Sequence, residues 1–70
     1  MTGALARLSA LGFSHLATVL AEAADKREAS RVAWAALWAV RDERAVRAAN
    51  LVTAWDEERR EAERAERGTA

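Results

Sequence analysis

Apolar residues recur at alternating intervals of three and four along almost the whole chain. In the first third, Leu5, Leu8, Gly12, Leu16, Val19, Leu20 and Ala23 keep this spacing, which places them on one face of a helix. The phase survives Gly12, so the pattern predicts one helix over about 3–24, bent at the glycine. If Gly12 instead breaks it, Ser14 is a ready N-cap for a second start at His15. Gly3, Ala10, Ala17 and Ala24 add a stripe of small residues at heptad spacing, which suits close antiparallel packing.

Asp25-Lys26-Arg27-Glu28 reads as a boundary. Asp25 can accept from the backbone N–H of Glu28, in the manner of a capping box. Beyond it, Trp34, Trp38, Arg41, Ala45, Ala48, Val52, Trp55, Arg59 and Ala62 form a second unbroken series. Leu37, Val40 and Leu51 widen its apolar arc. From Phe13 to Arg67 there is neither glycine nor proline, the two residues that punctuate helices most strongly. The pattern therefore predicts an all-α protein. Its expected form is an antiparallel helical hairpin, with helix 1 over about 3–24, a long helix 2 over about 26–67, and a frayed tail at 68–70. Residues 1–67 form a single helical domain on this reading.

The two helices do not match in length. At about 1.5 Å per residue, helix 2 spans roughly 60 Å and helix 1 roughly 33 Å. Either the exposed half of helix 2 is covered by oligomerisation, or the chain turns near Asp42 to give a three-helix bundle. The straight helix is favoured, because the series keeps its phase through Arg41-Asp42-Glu43-Arg44 and no glycine or proline assists a turn there. On that expectation Trp34 is covered by helix 1 while Trp55 is covered by a partner. Trp34, Trp38, Arg41, Arg44, Leu51, Val52 and Trp55 are then the candidate interface residues. Trp55→Ala is expected to weaken assembly more than Trp34→Ala, and Arg41 and Arg44 to contact a partner's carboxylates or aromatic faces.

Size strengthens the case for a partner. A chain of 70 residues buries a modest core and usually needs a staple or an associate. There is no cysteine, so neither a disulfide nor a thiolate metal site is available. The start of the chain lacks the basic region of a signal peptide, and the longest uncharged run, Leu8 to Ala21, is too short and polar for a membrane span. A cytoplasmic setting without membrane association is expected. Ten arginines against one lysine, with abundant alanine, suggest the GC-rich coding sequence of a bacterium or phage.

Formal charge is zero overall but unevenly placed. Lys26 to Arg47 holds six cations against three acids, while Asp56 to Arg67 holds six acids against four arginines. The first segment permits a second reading, a small nucleic-acid-binding regulator using the Lys26–Arg47 arginines. Asp42 and Glu43 interrupt that basic run, so nucleic acid is the less favoured partner. The acidic segment reads as a solvated helical extension with Asp56–Arg60, Arg59–Glu63 and Glu63–Arg67 pairs at i,i+4.

Catalytic signals are weak. His15 is the single histidine, without cysteine or a carboxylate at helical spacing, so no metal site or cofactor is expected. Glu22 with Asp25, Asp42 with Glu43, and the run Asp56-Glu57-Glu58 are carboxylate pairs at polar edges, not in an apolar cleft. No phosphate-cradling loop is present. The expected function is a protein-protein interaction module that self-associates or binds a heterologous partner, as a phage or bacterial accessory protein, inhibitor or assembly subunit does. An enzyme is not expected.

Overall fold

Two residues with positive φ decide the architecture: Gly12 at φ 109° and Arg41 at φ 56°. Each ends a helix that the apolar spacing would have allowed to continue. The computed structural model describes residues 3–69, which form four α-helices: α1 (Gly3–Ala10), α2 (Ser14–Glu22), α3 (Lys26–Val40) and α4 (Glu43–Thr69). No described residue lies in a strand.

The all-helical class agrees with the periodicity, but neither long helix survives intact. The expected helix over 3–24 is broken at Leu11–Phe13. Gly12 tolerates its left-handed conformation because it has no Cβ. The Phe13 N–H then donates to the Leu8 carbonyl at 3.1 Å, and α2 restarts directly at Ser14. The expected N-cap role of Ser14 is not realised: Phe13 occupies the cap position without a side-chain hydrogen bond.

The straight helix over 26–67 is likewise corrected. α3 stops at Val40, and Arg41 adopts the left-handed conformation with its N–H donating to the Trp38 carbonyl at 3.3 Å. The expected tail at 68–70 is corrected in part: α4 continues through Gly68 to Thr69, while Ala70 lies outside the described residues. Energetics explain the turn at Arg41. A non-glycine residue in the left-handed region costs about 1–2 kcal/mol. Burying Val52 and Trp55 within the chain returns about 2–3 kcal/mol for each large side chain. The turn therefore wins without a glycine or proline.

The boundary at Asp25 is where the sequence placed it. Its carboxylate accepts from the Glu28 N–H at 3.1 Å and caps α3. Lys26 reaches back, donating through Nζ to the Ala21 and Ala23 carbonyls at 3.0 and 2.9 Å. One turn thus satisfies orphan carbonyls at the end of α2 and an orphan amide at the start of α3.

α4 is the axis of the molecule, with α1 and α3 both packed along it. Ala45, Ala48, Ala49, Val52 and Trp55 are its buried residues, and the three alanines let neighbouring backbones approach closely. Leu5 and Leu8 of α1, Leu20 of α2 and Leu37 of α3 complete the core. Two polar contacts fix α1 antiparallel to α4. The Ala4 N–H donates to Glu58 Oε1 at 3.3 Å at one end, and Arg44 Nε donates to the Leu11 carbonyl at 2.9 Å at the other. Residues 60–68 are all exposed, so the last part of α4 projects beyond the bundle, and the longest extent with it included is 42 Å.

Candidate interaction surface

α3 buries little of itself. Ser30, Ala33 and Leu37 face the core, and Arg31, Val32, Trp34, Ala35, Ala36, Trp38, Ala39 and Val40 remain exposed. From Val32 to Val40 the outward face therefore carries no charge. At 100° per residue, Ala35 and Ala39 run along the middle of that face. Trp34 and Trp38 form one edge, and Val32, Ala36 and Val40 the other.

The exposures are large for apolar residues: 43% for Trp34, 41% for Trp38, 60% for Val32 and 63% for Val40. The two indoles pack on each other with ring centroids 5.7 Å apart and planes tilted by 50°, within the favourable range for aromatic pairs. They also wall a groove of about 760 Å³ between the end of α3 and the start of α4, closed by Arg41, Asp42, Glu43 and Val46. A second groove shares Trp34 and continues along the same edge past Arg27, Arg31, Asp56 and Arg60. Scattered exposed apolar residues are ordinary, but a contiguous apolar face with a charged rim is the form that binding surfaces take.

The candidate interface residues separate into three groups. Trp34, Trp38 and Arg41 lie together on the α3 face. Val52 and Trp55 are in the core, at 0% and 7% exposure, so their expected role in covering a partner is corrected: α4 turns back and buries them within its own chain. Leu51 is half-buried and lines a separate groove on the α1 side with Arg7, Ala10 and Leu11. The expected coverage of Trp34 by helix 1 is corrected as well: α1 packs on α4 and α2, only the α2 part of that segment meets α3, and Trp34 stays exposed. Arg44, expected at a partner, is engaged inside the chain at the Leu11 carbonyl.

Arg59 is a structural residue that the spacing placed on the apolar series. Its side chain is 15% exposed and pairs with Asp56 at 2.7 Å and Glu63 at 2.8 Å. Arg60 holds the other Asp56 oxygen at 3.1 Å. The hydrogen bond that Arg59 donates to Asp56 raises the guanidinium pKa above its ordinary value, so it stays charged throughout the working range. Arg59 and Glu63 line a groove with Ala24–Arg27 of the α2–α3 turn.

His15 is exposed, and among the described residues no group of three His, Cys, Asp or Glu side chains is placed to hold a metal ion. No described helix is long and apolar enough to cross a membrane. Comparison with protein-family models, curated proteins and solved structures finds no match to this chain.

Proposed function

We propose that this protein is a small helical protein-protein interaction module whose binding surface is the outer face of α3. The observation that carries this reading is the exposed Trp34–Trp38 pair on an uncharged face. Tryptophan is enriched at binding hot spots, where a large rigid side chain buries much area at little entropic cost. The core does not need either indole, because Leu8, Leu20, Val52 and Trp55 already fill it. A role as an accessory subunit or inhibitor fits a chain that presents one face on a minimal scaffold.

The rival reading, nucleic-acid binding through the Lys26–Arg47 cations, has less support. Lys26 and Arg44 are committed to backbone carbonyls, and Arg47 pairs with Glu43 at 3.2 Å. That leaves Arg27, Arg31 and Arg41 on the α3 side, beside the acids Glu28, Asp42 and Glu43. Retention on heparin that falls steeply with salt would favour phosphate contacts over the α3 reading.

The test is site-specific photocrosslinking in cells, with the photoreactive group at Trp38 and, as control, at exposed Ala6 of α1. A protein adduct at position 38 that is absent at position 6 is expected. No adduct at position 38, or equal adducts at both, overturns the reading.

A further inference from the structure

The binding-surface reading leaves the occupant of the α3 face open, and this inference rests on that reading. We propose that the occupant is a second copy of this chain, packed α3 against α3, antiparallel, about a twofold axis. The α3 face carries its own complement. An antiparallel twofold lays the tryptophan edge of one copy along the tryptophan edge of the other. Placing the axis between Trp34 and Ala35 brings Trp34 of each copy level with Ala35 of the other, so that each indole lies over the small central stripe. The same register sets Arg31 level with Trp38, where a guanidinium stacks on an indole face. Arg31 and Trp38 stand on the same edge, since Arg31 shares a groove with Trp34 and Trp34 shares the next with Trp38.

The charges at the two ends of α3 fall into line in this register. Glu28 of each copy comes level with Arg41, the C-cap, of the other. The positive N-terminal end of each α3 dipole also meets its partner's C-terminal end. A charged heterologous partner is poorly matched, because the face itself is neutral and its rim carries both signs. The net charge of zero removes bulk repulsion between copies. The exposed surface of Trp34, Trp38, Val32, Val40 and the alanines between them is roughly 500 Å² per copy, so complete burial in a pair reaches roughly 1,000 Å², the lower bound for a specific interface.

Sedimentation equilibrium from micromolar to several hundred micromolar tests the proposal with a charge exchange. Glu28→Arg and Arg41→Glu suit it, because the Glu28 carboxylate and the Arg41 guanidinium are exposed and lie outside the core. Each variant alone sets two like-charge contacts across the twofold, and each is expected to weaken the dimer about tenfold or more. An equimolar mixture restores association, since in the mixed pair the two new charges meet each other and the two original charges meet each other. Positions 28 and 41 are roughly 20 Å apart along one helix, so restoration requires a second chain. If either variant loses its helical circular dichroism, E28K and R41D replace the pair. A wild-type chain that stays monomeric throughout overturns the proposal, as do variants without effect or a mixture that fails to associate. If the proposal fails while Trp38 still crosslinks to a different protein, the binding surface stands with another occupant. If Trp38 crosslinks to nothing, the surface reading falls with it.

Discussion

The three tryptophans have opposite fates, and a single side chain in each case shows why. Trp55 sits at 7% exposure among Val52 and the α4 alanines, so Trp55→Ala removes a core aromatic and leaves a cavity. We expect it to cost about 3–5 kcal/mol in urea unfolding, enough to unfold a chain of this size. Trp34→Ala and Trp38→Ala remove indoles that are already 43% and 41% exposed and should cost less, about 1–2 kcal/mol each. Equal losses at all three positions would contradict the burial pattern. Arg41 offers a second residue-scale test. Its left-handed conformation is strained for any side chain with a Cβ, so Arg41→Gly should raise stability by about 0.5–1 kcal/mol, read as a higher urea midpoint in dilute protein. Gly12→Ala should act in the opposite sense, because φ at Gly12 is 109°.

The helices depend on one another to different degrees. α3 is held at its start by the Asp25 carboxylate, a contact legible from the spacing of Asp25 and Glu28. Asp25→Ala is expected to cost about 1 kcal/mol, while Asp25→Ser, which keeps an acceptor, should cost much less. α4 is uneven along its length. Its first part carries the core, and residues 60–68 are exposed. Ending the chain after Glu63 keeps the Arg59–Glu63 pair and should change the midpoint of thermal unfolding by no more than about 2 °C. A larger fall would show that the projecting end of α4 supports the bundle. Arg44 closes the end of α1 and Arg59 is held between Asp56 and Glu63 within α4, so a count of basic residues overstates the cations available to a ligand.

For the whole molecule, one core cluster joins residues from all four helices, so no helix has a hydrophobic centre of its own. Unfolding should accordingly be a single transition, with far-ultraviolet circular dichroism and tryptophan fluorescence coincident. Separate midpoints would mean that α1 or α3 melts independently. Fluorescence quenching joins fold and function. In dilute protein acrylamide should quench Trp34 and Trp38 readily and Trp55 poorly, as a Trp55→Phe variant would show. Protection of the two α3 indoles at high protein concentration would follow from a second copy covering them, and unchanged quenching would argue against it.

The residue series alone determined that the protein is helical, that a cap lies at Asp25, and that Asp56, Arg59, Arg60 and Glu63 pair along one helix. These are local consequences of spacing, propensity and short-range hydrogen bonding. The turn at Arg41 and the break at Gly12 were decided by the tertiary structure. A series with alternating intervals of three and four keeps its phase whether a helix continues or folds back, because each half must present an apolar stripe in either case. What ends the helix at Arg41 is the gain from burying Val52 and Trp55 against other helices, a long-range term that no local pattern records. The same turn moved the uncovered face from the far half of α4 to the outside of α3. Packing decided that Trp34 and Trp38, not Trp55, stand exposed.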